Sequence, residues 1–472
     1  MRRIGVATLF LCLTIMAVSP LYAASSTIDW SAVTSEAVDK LQSYVRVDTS
    51  NPPGNETPAA ELLRRWLAAE GIEARLYDPM GDPKRQALVA RIPGRSQETL
   101  LLMSHSDVVP AVAEEWSHPP FAAEIADDTL YGRGALDTKE LGILQLVTML
   151  LVHRQGLSPR AQLLLLIEPD EEEHGGGVNG MLQRYPELFR NVRMVLNEGG
   201  SGVTGIAASG QVVFVVQTAE KGIAWIKLTA RGDSGHGAIP LRNNAVTTMA
   251  RALQRIAEYE TPLQPAPPIV RLFGELAEQE PFPTSFVMRH VDNPFVQRVF
   301  WGQLTQRPSL NALLRTTISL TGMNGGYKTN VIPAEVEATL DCRINLGDSA
   351  EALKTALEHV IDDPRVSLDL VQSTAPNESP IDEHLIAAVR AAVIRHVPNG
   401  LVAPVMSSGV TDSAPFRRRG VPAYGFNPVV ITEDELASIH GIDERLHVDE
   451  LRRALQVYYE VVAQLAGADA SD

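Results

Sequence analysis

Three short segments of this chain concentrate side chains suited to metal binding and proton transfer. LLMSHSDVVP (101–110) ends an apolar run in His105, with Asp107 two residues on. DDTLYGRGALDTKE (127–140) sets Asp137 in a turn that carries two glycines. LLLLIEPDEEEHGGG (163–177) ends a second apolar run in four consecutive acids, Asp170, Glu171, Glu172 and Glu173. Side chains of these types at the ends of buried strands suit a pair of hydrolytic metal ions. Such a pair needs an imidazole for each ion, a shared carboxylate, and a free carboxylate to handle a proton.

Each segment also has a plainer explanation. On a strand, the spacing of His105 and Asp107 puts both side chains on one face. Taken alone, an exposed strand-end histidine and a capping aspartate would be the better explanation. Asp137 can hold a cation, cap the helix expected from about Lys139, or do both. A run of acids is usually a solvated surface. Here it follows the buried-type run LLLLI and precedes Gly175-Gly176-Gly177, and four adjacent carboxylates repel one another unless a cation lies near. Glu198, in LNEGG, repeats the order of strand, acid and glycine. His440, in SIHGIDERLHVDE, would supply a second imidazole, while His447 falls at an expected helix start. His236 is flanked by glycines in GDSGHGAIP, a setting unlike a core and suited to a polar contact with substrate.

The elements that must position these residues alternate in type. Helices are expected over 31–45, 58–71 and 141–156, and strands over 86–93, 99–107, 161–169 and 193–200. That alternation predicts an α/β layer with a partly parallel sheet, whose ligands gather at the C-terminal strand ends. From 211 the texture changes. QVVFVVQTAEKGIAWIKLTARG (211–232) reads as an antiparallel hairpin, followed by a helix over 244–260, strands over 315–323, 336–345 and 365–373, and a helix over 349–361. PLQPAPP (262–268) reads as an irregular exposed connection, and the insert over 262–312 as part of the smaller layer. Alternation resumes after 376 and ends in a helix near 448–466. The expected organisation is a segment over 1–24, a main domain over 25–210 and 376–472, and a domain inserted over 211–375.

Composition narrows the function. The chain has 472 residues, 45% of them hydrophobic, and a formal net charge of -16, which repels phosphate backbones and disfavours nucleic acid as a partner. Arg2 and Arg3 precede an apolar run from Ile4 to Val18 and the small residues Ala23 and Ala24. This is the pattern of a cleaved export signal, so a periplasmic or secreted protein, free of the membrane after cleavage, is expected. Of two cysteines, Cys12 lies in that segment, and Cys342 reads as a buried strand residue. No GxSxG elbow is present to support a serine hydrolase.

Together, HSDVVP, YGRGALDTK, PDEE, NEGG, SGHGAIP, NVIP and HGIDER resemble the M20 family of zinc metallopeptidases, in its aminoacylase and carboxypeptidase branch. The resemblance runs from VDTSNPPGNE (47–56) to the last helix. It implies an α/β fold: a mixed-sheet catalytic domain of zinc-exopeptidase type (phosphorylase/hydrolase-like), with an inserted α+β lid and dimerisation domain. It further implies two Zn2+ ions, which Co2+ or Mn2+ can replace. By resemblance His105 holds one ion and His440 the other, Asp137 bridges, and Glu172 and Glu198 complete the two sets. Glu171 is then the general base and Asp107 supports its neighbouring histidine. His236 polarises the scissile carbonyl, reaching from the partner subunit of a homodimer. Asn330 and Arg343 lie near substrate, and Thr411 and Asp412 line the site.

Three departures from the family pattern stand out. The acidic run has one extra glutamate, so the base and ligand are Glu171 and Glu172 in one register and Glu172 and Glu173 in the other. PDEE is intact only in the first. Asn197 replaces the family's aspartate before Glu198, and Glu140 stands where glycine is common. The reaction expected is hydrolysis of an amide bond next to a free carboxylate, in a C-terminal peptide bond or an N-acyl amino acid. The alternatives are a dipeptidase, a deacylase of succinyl or acetyl amino acids, and a non-catalytic relative that only binds metal.

Overall fold

The computed structural model describes residues 28–205, 210–306 and 308–468. The expected export signal over 1–24 lies outside the described residues. At the centre is an eleven-stranded mixed sheet. Three of its neighbouring strands, in the order Gln162–Glu168, Thr99–His105 and Val192–Asn197, run parallel. Their C-terminal ends therefore share one edge of the sheet. His105 closes the middle strand, and Glu171, Glu172 and Glu198 follow the two on either side.

Near-continuous burial along these strands explains their sequences. In Thr99–His105 every residue is buried. Leu100 and Leu102 face a core shared with the helices Trp30–Val45, Lys139–Arg154, Glu383–His396 and Val448–Ala466. Leu101 and Met103 face the other side, against Val178 and Met181 of the helix Gly176–Arg184. A strand covered on both faces needs apolar residues at every position, which is why LLLM and LLLLI show no alternation. The helix Lys139–Arg154 is buried from Lys139 to Val152 because it lies between this sheet and the outer helices.

The smaller layer is a four-stranded antiparallel sheet, ordered Thr317–Gly325, Glu335–Ile344, Gly222–Arg231 and Val366–Thr374. Two helices, Ala245–Glu258 and Ala350–Ile361, cover one face through Met249, Ile256, Leu353 and Leu357. Cys342 points into this core, and burial pushes its thiol up to about 12.

Two sequence expectations are corrected here. Residues 211–232 do not form a hairpin. Val213–Glu220 joins the large sheet, parallel to Leu401–Ser407, and the chain crosses at Lys221 into Gly222–Arg231 of the small one. The small layer thus starts at Gly222 rather than 211. The insert also packs elsewhere. Pro267 and Pro268 open the helix Pro267–Leu276, whose Ile269, Leu272 and Phe273 pack on Ala219, Ala403 and Met406 of the large sheet. Proline in the first helical turn costs no hydrogen bond, so PAPP begins an element where irregular chain was expected.

Candidate metal centre

Two groups of ligand atoms converge at the C-terminal edge of the three parallel strands. His105, Asp137 and Glu198 form one, and Asp137, Glu172 and His440 the other, with the ligand atoms of each group within 4.8 Å of one another. Asp137 belongs to both. Its Oδ1 lies 3.1 Å from His105 Nε2, and its Oδ2 lies 3.0 Å from His440 Nε2. Glu198 Oε2 is 3.5 Å from His105 Nε2, and Glu172 Oε2 is 3.2 Å from His440 Nε2.

Whether these residues suit cations can be decided on His105. Its Nδ1 lies 2.9 Å from the Asp107 carbonyl oxygen, which can only accept, so Nδ1 carries the proton. In the neutral ring Nε2 then turns its lone pair toward two carboxylates. That arrangement is repulsive unless the ring is protonated or a cation lies between. Burial opposes a charge on His105, but Glu198, Asp107 and Asp137 push its pKa well up. His440 is driven up to about 10 by its contacts with Asp137 and Glu172. Glu172 Oε1 is buried without a hydrogen-bond partner. Two imidazoles and two glutamates around a shared aspartate therefore fit a pair of divalent cations.

The acidic run divides by direction. Asp170, at φ +66, turns inward to Arg85 at 3.0 Å, Asn51 Nδ2 at 3.0 Å and the Gly176 N–H at 3.0 Å. Glu172 meets His440, whereas Glu173 is exposed, 3.9 Å from His174. Of the two registers, only the first brings a ligand oxygen to His440. Glu171 is partly buried beside the cluster. Burial, and then Glu198, push its carboxyl well above the usual range. Gly177 makes the tight return after the run possible. A Cβ there would lie 1.8 Å from the Pro169 carbonyl oxygen and 2.1 Å from Glu168 Oε2.

Asp107 carries more than its neighbouring histidine. Its carboxylate accepts from the Glu171 and Glu172 N–H groups, both at 3.1 Å, and from Asn51 Nδ2 at 2.8 Å. Burial opposes its charge, yet His105, Asn51 and the Glu171 N–H hold it below the usual range. Asn51 thus fixes both Asp107 and Asp170 from the loop that precedes the second helix. In the sequence that loop, VDTSNPPGNE, stood out only as the start of the family resemblance. Glu140 is fully buried and accepts from Asn427 Nδ2 at 2.7 Å, and burial pushes its pKa well up. Asn197, the second departure, donates to Ser413 Oγ at 3.2 Å.

The remaining candidates are not all at the cluster. Thr411 gives its hydroxyl to Glu220 Oε1 at 2.6 Å, and Glu220 pairs with the buried Arg417 at 3.1 Å. Asp412 lies near Glu198 and is driven up to about 7 by burial. Arg343 is paired with Asp341 at 3.0 Å, and its Nη1 reaches the Ser408 carbonyl at 3.5 Å, beside the 411–412 segment. His236 and Asn330 are exposed together at the far end of the small layer, joined by a Gly237 N–H to Asn330 C=O bond of 2.8 Å. Among the described residues, no hydrogen bond or ion pair links either to the metal-type cluster. His447 ends a short strand and stands at the N-cap of the last helix.

A mixed α/β sheet with a two-cation ligand set at its strand ends, and an antiparallel layer inserted beside it, defines a dinuclear metallohydrolase architecture. The model of the peptidase family M20/M25/M40 matches residues 101–464, and the chain belongs to that family. It is a hydrolase of amide bonds. It is 30% identical over 374 residues to the N-fatty-acyl-amino acid synthase/hydrolase PM20D1 of Xenopus tropicalis, covering 77% of this chain and 71% of that protein. It also resembles the solved M20 metallo-carboxypeptidase Sso-CP2 of Sulfolobus solfataricus, at TM-score 0.63 and 17% identity, over 90% of this chain and 98% of that one. The Bacillus subtilis YXEP protein, described as a dinuclear metal-binding M20 peptidase, aligns with TM-score 0.61 and 14% identity over 93% and 100% of the two chains. Among the described residues no helix is long and apolar enough to cross a membrane.

Proposed function

We propose that this chain is a zinc-dependent hydrolase of N-acyl amino acids and related C-terminal amides, acting with Glu171 as general base. The observation that carries the reading is Asp137, whose two oxygens face one imidazole each at 3.1 and 3.0 Å. His105, Asp137 and Glu198 hold one cation and Asp137, Glu172 and His440 the other. Cations bound there supply Lewis acidity to the attacking water and the scissile carbonyl. Glu171 accepts the proton of that water and returns it to the leaving nitrogen. Its raised pKa reflects burial and then repulsion from Glu198, and positive charge in the cluster would relieve the repulsion. Asp107 fixes the backbone on which Glu171 and Glu172 stand.

Arg343 clamps the substrate carboxylate by exchanging its Asp341 partner for the ligand, as its place beside Ser408 supports. His236, supplied by a second copy, stabilises the oxyanion. That supply in trans is supported by its own lid tip making no hydrogen bond or ion pair to the cluster among the described residues. The N-terminal pattern of basic, apolar and small residues supports export with removal of 1–24, which N-terminal sequencing of the mature protein checks. An N-acyl substrate is favoured by the relative active on fatty-acyl amino acids. The test is a hydrolysis screen of acyl-amino acids and dipeptides with zinc, cobalt and manganese, alongside metal analysis. The expected result is two bound equivalents and turnover of substrates with a free carboxylate. Protein that takes up no metal and cleaves none of them would refute the reading.

A further inference from the structure

One buried ion pair ties together the two chain segments that bring Asp137 and His440 to the cluster. Glu444 is fully buried, and its Oε2 lies 2.6 Å from Arg133 Nη1, 311 residues away in sequence. Its Oε1 accepts from the backbone N–H of Leu136 at 2.8 Å and of Asp137 itself at 3.2 Å. Arg133 Nη2 donates to the Gly441 carbonyl at 2.8 Å, one residue beyond His440. The Gly132 N–H bonds to the Glu444 carbonyl at 2.9 Å, and Thr129–Tyr131 pairs antiparallel with Arg445–His447 just outside. The guanidinium lies over the Trp116 ring, 5.2 Å from its centroid, which closes it off on one side.

Each end of this pair therefore acts directly on the backbone of a ligand. Glu444 holds the peptide N–H of Asp137. Arg133 holds the carbonyl that follows His440, a residue kept at φ +61, where non-glycine residues are uncommon. His440 side-chain exposure is 51%, so packing on its ring does little to fix it, and its place depends on its loop. His105, in contrast, is set by a fully buried strand and its bond to the Asp107 carbonyl. The two halves of the cluster thus have unequal support.

We infer that Arg133 and Glu444 are a positioning pair that sets the Asp137–His440 spacing, and that losing it selectively weakens the cation site made by Asp137, Glu172 and His440. This rests on the two-cation reading above. The test compares Glu444→Gln and Arg133→Lys with wild type as full chains, titrating Zn2+ by calorimetry against a chelator and Co2+ by its visible spectrum. Gln keeps an acceptor for the two N–H groups but removes the charge that pairs with Arg133. Lys keeps the charge but cannot reach both Glu444 and Gly441.

Expected is one equivalent bound as in wild type and one weakened by about 10–100-fold, the range typical of groups that orient metal ligands. Activity should return at high zinc, with KM changed less than kcat. If Glu444→Gln does not fold, Arg133→Lys carries the measurement. Wild type with two equivalents and variants that bind both with unchanged affinity would overturn the inference. So would folded variants that weaken both equivalents alike. Wild type that takes up no divalent cation overturns the reading beneath it, and this inference with it.

Discussion

Substituting Glu171 and Glu172 one at a time separates proton transfer from metal binding. Glu171→Gln keeps side-chain volume and leaves the backbone bond from its N–H to Asp107 intact. What it removes is the carboxylate proposed to accept the proton. General bases of this kind contribute about 10²–10⁴-fold, or about 2.7–5.4 kcal/mol of transition-state stabilisation. The substitution also deletes one of the charges crowding Glu198 and leaves every ligand oxygen in place, so both metal equivalents should remain. Glu172→Gln acts differently. It sets an amide against the imidazole now 3.2 Å from Glu172 Oε2, and N–H donors repel a cation. The affinity of that site should fall by more than the about 10–100-fold lost when only an outer, orienting group is removed. The assay is kcat at saturating substrate together with zinc content after dialysis against a weak chelator. If Glu171→Gln retains turnover within about tenfold of wild type, Glu171 is not the base. If Glu173→Gln loses an equivalent while Glu172→Gln keeps both, the geometry of the acidic run has been misjudged by one residue.

Other measurements address the lid and the buried acids. His236→Ala should lower kcat with metal content unchanged. Equal mixing of His236→Ala and Glu171→Gln subunits should recover about a quarter of wild-type activity, because half the random dimers own one intact site of two; failure to recover any would refute supply from a partner. Glu140→Gln tests the buried acid. Burial raises the folded pKa of Glu140 above the ordinary 4.5, so the fold holds its proton more tightly than the unfolded chain does. Its stability contribution is then complete below about pH 4.5 and is lost as pH rises toward the folded pKa, by about 1.4 kcal/mol per unit of difference. Glutamine keeps an acceptor for Asn427 and has no proton to lose. Thermal unfolding of the variant relative to wild type should therefore improve as pH rises above about 4.5; parallel curves would show that burial does not hold the proton on Glu140.

The parts legible in the sequence were those where burial dictates composition. LLLM and LLLLI announced strands covered on both faces, and their parallel pairing put His105, Glu171 and Glu172 on one edge. The crossing at Lys221 was not legible. Glu220-Lys221-Gly222 has the composition of a hairpin turn, and only the pairing partners tell that its two strands lie in different sheets. The helix Pro267–Leu276 was hidden because proline marks a helix start as well as an irregular connection. The direction of each acid in Asp170–Glu173 depends on Asp107, Asn51 and Arg85, all remote in sequence. His440 could be singled out as a second imidazole, but its pairing with Asp137 and Glu172 was not legible, since an exposed loop histidine has no periodic signature. Glu444 sat inside HGIDER without attracting a role, because a charged residue in a loop normally faces water.

The crossing at Lys221 also sets a mechanical scale. Gly222–Arg231 has ten residues, about 34 Å of extended strand. His236 lies beyond its far end, whereas Arg343, opposite Ile223, lies at the near end. A rotation of the small layer about its Lys221 end would leave Arg343 close to the axis and put His236 at the tip. A rotation of about 10° carries the tip about 6 Å and the Arg343 end hardly at all. Such a rotation would sweep His236 over a long arc while the residue nearest the axis keeps its place beside Ser408.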